Sequence, residues 1–147
     1  MKKLFPISLA IFILLSGALL FQMTSCSKSN STPTVYSIQG LWTGTYAVDG
    51  QPGLGPQYFS FVIKPDGTMI NETKASGQQV ICLGTWTLTS DTLSCAYTCI
   101  YGPPSTVGAN QTAKAYFNKN TGKLTSGVFN NVLPYTGSGT ISLSRIN

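Results

Sequence analysis

The chain contains no histidine, and only four of its 147 residues are carboxylates. The first absence removes histidine-dependent triads, the usual zinc ligand sets and the ordinary general base near neutral pH. The four acids, Asp49, Asp66, Glu72 and Asp91, are dispersed, so they suggest neither a calcium loop nor the carboxylate pair of glycoside hydrolysis. Asp66 and Asp91 fall in Pro65-Asp66-Gly67 and Ser90-Asp91, where a short acid serves a turn. No basic run interleaved with aromatics occurs, so nucleic acid is not an expected partner. Gly53-Leu54-Gly55 lacks a following helical pattern and does not read as a phosphate cradle. Cys95 has no basic neighbour to activate its thiol. The expectation is a non-catalytic protein that needs neither metal nor cofactor.

What is present begins at the N-terminus. Lys2 and Lys3 precede an apolar stretch over residues 4–21, followed by Gln22-Met23-Thr24-Ser25-Cys26. That order is a secretory signal. Its 18 apolar-region residues lie near the lower limit for a membrane span, ~17–25. Pro6, Ser8, Ser16 and Gly17 weaken a permanent span, although plain secretion and a retained helix stay open. The small residues Thr24 and Ser25 before Cys26 resemble a bacterial lipoprotein signal, with Met23 standing where leucine is usual. This resemblance implies a cleaved signal over 1–25, lipidation of Cys26, and a polar tether over 26–37. It also implies an envelope location, and Ser27 after the cysteine favours the outer membrane. The loose box is similar to those of Bacteroidetes-type lipoproteins. Whether the domain faces the periplasm or the medium is left open, and the membrane is the expected partner through the lipid anchor.

Removal of the signal leaves seven cations against four acids, a formal charge of +3, and 122 residues, enough for one domain over 38–147. Three cysteines remain beside Cys26. A two-residue turn at Ser90-Asp91 places Cys82 directly opposite Cys99, in a non-hydrogen-bonded pair with Cα atoms ~4.5 Å apart. A Cys82–Cys99 disulfide is therefore expected in an oxidising compartment, with Cys95 a buried thiol facing Trp86.

Eight strands are predicted, at 38–48, 58–64, 68–73, 80–89, 92–100, 111–118, 123–129 and 139–146. Several alternate between an apolar and a polar face, as Phe59, Phe61 and Ile63 do against Tyr58, Ser60 and Val62. An antiparallel sheet of this size must bury its apolar face by closing as a barrel or folding into a sandwich. Tight turns at 65–67, 90–91 and 120–122 alternate with longer connections at 49–57, 74–79, 101–110 and 130–138. That alternation favours an all-β, eight-stranded antiparallel up-and-down barrel, with a β-sandwich as the alternative.

The segment Ile38-Gln39-Gly40-Leu41-Trp42 resembles the first strand of lipocalin and avidin-like barrels, which open on a glycine and a tryptophan two residues apart. The resemblance implies that Trp42 plugs the closed end, covered by Arg145 from the last strand, as a structural pair. Tyr46, Phe59, Phe61, Trp86 and Tyr97 are the candidate lining of a ligand cavity at the open end. Glu72 points inward if the Asp66-Gly67 turn has two residues, and outward if the loop has three and pairs Phe61 with Asn71. Two functions follow. One is an anchored module holding a small apolar ligand. The other is a structural, protein-interaction or inhibitor lipoprotein whose barrel is filled by its own side chains, with Leu54, Tyr101, Val107, Leu133 and Tyr135 offered to a partner.

Overall fold

The computed structural model describes residues 35–75 and 77–146. The expected signal, Cys26 and residues 27–34 of the tether lie outside the described residues. Eight strands follow in chain order: β1 (Gly40–Val48), β2 (Gln57–Ile63), β3 (Thr68–Ala75), β4 (Gln78–Thr89), β5 (Thr92–Tyr101), β6 (Asn110–Asn118), β7 (Lys123–Asn131) and β8 (Ser138–Arg145). Each pairs antiparallel with the next, and β8 returns to pair with β1, so the sheet is a closed up-and-down barrel. Closure leaves no unpaired edge, and every inward-facing position looks onto one core. The sandwich alternative is thereby removed.

Turn chemistry fixes the register. Ser90 and Asp91 both have positive φ, 48° and 63°, the signature of a two-residue turn matched to strand twist. Cys82 consequently faces Cys99, and the two form a disulfide, while Trp86 faces Cys95. The Pro65-Asp66-Gly67 connection is the three-residue form. Lys64 N–H donates to Thr68 O at 3.0 Å, Gly67 takes φ 82°, and Asp66 Oδ1 accepts from both the Thr68 amide and its hydroxyl. Those two bonds hold the Asp66 carboxyl below its ordinary pKa. The pairs become Phe61–Asn71 and Ser60–Glu72, so Glu72 faces outward and accepts a hydrogen bond from Gln79 Nε2. Asn71 takes the inward place.

Three details depart from the sequence reading. Connection 74–79 is tight, because β3 and β4 stay paired out to Ala75–Gln78. Polar residues there form a ladder without the apolar alternation that advertises a strand. Strand β7 carries a bulge, with Thr125 and Ser126 both exposed between inward Leu124 and Gly127. Finally, β1 starts at Gly40 rather than Ile38. The chain bends at Gly40 (φ 128°), and Ile38 is buried across the end of the barrel.

That end is plugged. Trp42 is fully buried, its Nε1 donates to Ile38 O at 2.7 Å, and its ring meets Phe117 edge-on at 5.7 Å. Ile63, Met69, Leu93, Leu124 and Leu143 fill the space around it. Arg145 is the cross-strand partner of Trp42, and its guanidinium donates to Gln39 O. A Cβ on Gly40 would sit 3.3 Å from Arg145 Nη2, so glycine there serves both the bend and the seat of the arginine. Both ends of the barrel chain emerge at this plugged end, where Tyr36 N–H donates to Lys119 O and Ile146 N–H to Leu41 O.

Candidate functional site

The opposite end is open. Its long connections are 49–56, which contains a short 3-10 turn (Pro52–Leu54), 102–109, and 132–137. The second and third of these wall a cavity of about 470 Å³. A further depression of about 310 Å³ under the 49–56 loop shares Tyr46, Gln111, Phe129, Asn131 and Thr136 with it. A cavity of this size lies within the ~300–1,000 Å³ range of small-molecule sites.

Strand alternation brings the lining together. Tyr46 from β1, Phe59 from β2 and Phe129 from β7 form an aromatic wall. Tyr46 lies 5.9 Å from Phe59 and 5.7 Å from Phe129, the latter edge-to-face. Val80 and Ala109 complete the apolar surface, and Cys99 brings the disulfide to the wall. Above the rings lie amides. Gln111 pairs across the β6–β7 ladder with Asn131, and Gln111 Nε2 donates to Asn131 Oδ1 at 2.6 Å. Asn131 Nδ2 in turn donates to Thr136 O at 2.8 Å.

The loops are folded, not splayed. Gly108 N–H donates to Cys99 O and Cys99 N–H to Ala109 O, which folds loop 102–109 back onto the end of β5. Thr106 donates through its amide and its hydroxyl to Pro103 O, both at 2.8 Å. In loop 132–137, Asn131 N–H donates to Gly137 O at 2.9 Å. The Tyr135 hydroxyl reaches Val107 O at 3.4 Å, joining two loops across the mouth. Tyr135 is therefore half-buried cavity wall and not an exposed contact residue. Leu54, Tyr101, Val107 and Leu133 are exposed as expected, Leu133 at 79%.

Of the five residues expected to line the cavity, Tyr46 and Phe59 do so. Phe61 and Tyr97 lie one inward step lower, fully packed beneath the floor, with Phe61 4.9 Å from Phe59 and 6.0 Å from Tyr97. Trp86 belongs to the other end: its Nε1 donates to Lys64 O at 2.9 Å beside the 65–67 turn. Alternation places a side chain on the inner face, but its height follows from the count to the nearest turn, at about 3.3 Å per residue. Trp86 is only four residues from Ser90. Among the residues missed were Gln111, Phe129, Asn131 and Tyr135. The parity of Ala113, Ala115 and Phe117 pointed Gln111 inward, whereas the β7 bulge concealed the parity of Asn131.

Chemistry in the interior is muted. Burial pushes the Cys95 thiol up to about 12, far from a reactive thiolate. Burial, and then the neighbouring Cys95, raise the Tyr97 hydroxyl, while burial raises Tyr46. Among the described residues, Asn71 Oδ1 and the Tyr97 hydroxyl are buried without a hydrogen-bond partner, although Asn71 Nδ2 donates to Ser60 O. Among the described residues no group of three or more histidines, cysteines, aspartates or glutamates is placed to hold a metal ion. Among the described residues, none that lines the cavity carries a formal charge. The arrangement can bind, orient and desolvate a small molecule. Comparison with protein-family models, with curated proteins and with solved structures finds no match to this chain.

Proposed function

We propose that the protein is a lipid-anchored, non-catalytic binding module of the bacterial envelope that holds a small, largely apolar ligand in the mouth of its barrel. The cavity of about 470 Å³, walled by Tyr46, Phe59 and Phe129, carries the reading. Eight-stranded barrels often fill themselves with side chains. Here the lower half is filled and the upper half is not. The anchor rests on the sequence alone, on Cys26 after Thr24-Ser25. β1 begins at the plugged end, opposite the mouth. A resemblance to lipocalin-like barrels agrees with this use of the open end.

A second reading is a protein-interaction lipoprotein. Its support is the exposure of Leu133 (79%) and Tyr101 (58%), apolar side chains at the loop end of the barrel.

Native mass spectrometry of the domain purified without detergent tests the ligand reading. A bound small molecule of constant mass, lost on denaturation, is expected. A bare polypeptide mass in every preparation, together with no uptake of ring compounds, contradicts it. For the anchor, the wild-type chain partitions into the detergent phase and Cys26→Ser into the aqueous phase; equal partitioning overturns lipidation.

A further inference from the structure

Resting on the binding-module reading, we infer that the ligand is an uncharged ring compound carrying a carboxamide-like edge. Its ring is held among Tyr46, Phe59 and Phe129, and its edge is read by Gln111 and Asn131.

Charge is the first argument. Among the described residues, none lining the cavity is ionised. A carboxylate or ammonium entering it would shed water and gain no counter-ion, which is far costlier than burying a neutral polar group. The depth of the site is aromatic, and a fourth ring can continue the tilted and edge-to-face contacts that Tyr46 makes at 5.9 and 5.7 Å.

The amides supply the second argument, because their orientation is determined. Thr136 O can only accept, so Asn131 must present Nδ2 to it, and its Oδ1 then faces Gln111. Gln111 in turn must present Nε2. These two bonds leave Gln111 Oε1 and one further N–H on each amide free to pair. The complementary edge therefore offers both a donor and an acceptor, as a carboxamide, lactam or imide does. A carboxylate offers acceptors only and would oppose Gln111 Oε1. Size is the third argument: at ~30 Å³ per water, the cavity holds roughly fifteen waters, or a compound of about ten to fifteen non-hydrogen atoms.

Three probes that share one ring system test this. They are 2-naphthamide, its isosteric anion 2-naphthoate, and unsubstituted naphthalene, each titrated against the folded protein by equilibrium dialysis. The amide is expected to bind tightest. Naphthalene should bind more weakly by about fivefold for each hydrogen bond it cannot make. The anion should be weaker than the amide by at least about tenfold, given the cost of an unpaired buried charge. Gln111→Leu and Asn131→Leu should erase the advantage of the amide over naphthalene while naphthalene still binds, which also shows the variants to be folded. Naphthoate binding as tightly as naphthamide, or an amide advantage surviving both variants, overturns the inference and leaves the cavity reading standing. Failure of all three probes to bind overturns both.

Discussion

Reduction of the Cys82–Cys99 disulfide should remove a large part of the stability of the domain, by an amount the chain separation sets. The two cysteines are 17 residues apart and both are buried. Closing a loop of that length removes about 3 kcal/mol of entropy from the unfolded chain. Reduction tests this contribution with both sulfurs still in the interior, although two thiols need more room than one disulfide. A Cys82→Ala, Cys99→Ala double variant loses that contribution and the packing of two buried sulfurs. For a domain near 100 residues, each kcal/mol moves the thermal midpoint by about 4–8 °C, so a fall of roughly 12–24 °C is expected. Circular dichroism melts with and without a phosphine reductant measure it, with mass spectrometry counting free thiols. Urea titrations should show a larger m value in the reduced protein, since its unfolded chain is less compact. A change below about 1 kcal/mol with both thiols free would refute the loop-closure argument. It would mean that residual β4–β5 hairpin structure already restrains the unfolded chain.

Other outcomes follow from the interior. Burial pushes the Cys95 thiol from its ordinary value of 9.0 up to about 12 in the folded domain, so the unfolded chain releases its proton first. Its contribution is complete below pH 9 and is lost as pH rises towards 12, at about 1.4 kcal/mol per unit, with Tyr97 adding to the decline at higher pH. Denaturation midpoints between pH 8 and 11 should show that slope, and Cys95→Ala should flatten its first part; an identical slope in the variant refutes the assignment. Tyr97→Phe removes a buried hydroxyl that has no partner, so urea denaturation should find the variant as stable as wild type or more so, by ~1 kcal/mol. A loss above that figure would mean the hydroxyl is satisfied. Trp42→Ala should cost ~3–5 kcal/mol, since it empties the plug, and half-buried Trp86→Ala distinctly less. Equal losses in parallel melts would contradict the plug.

Much of the barrel was legible because its information is local. Phe59-Ser60-Phe61-Val62-Ile63 declares its faces, and Ser90-Asp91 sets a register that carries Cys82 to Cys99. The choice of closed barrel came from the spacing of turns, which is also local. The cavity was harder to read. Its depth depends on how strands are staggered around the barrel, which alternation does not encode, so Phe61, Trp86 and Tyr97 were placed on the right face at the wrong height. Gln111 and Asn131 are polar, so composition argues against an inward place even where the parity of Gln111 gives one. Their inward place is tolerable because each satisfies the other and Thr136 O. The plug by Ile38 was hidden for a different reason. A strand and a bend at Gly40 read alike until φ is known.

The central claim is that the loop end binds and the tryptophan end is sealed. Nuclear magnetic resonance of the isotopically labelled domain during titration with 2-naphthamide tests it most directly. Both indole N–H groups report on the sealed end, Trp42 through Ile38 O and Trp86 through Lys64 O. Gln111 and Asn131 report on the mouth through their side-chain amides. The predicted result is a saturable shift of the side-chain amides of Gln111 and Asn131 and of the Thr136 backbone, with both indole signals unmoved. Shifts confined to the indoles, or none at all at saturating probe, would contradict it.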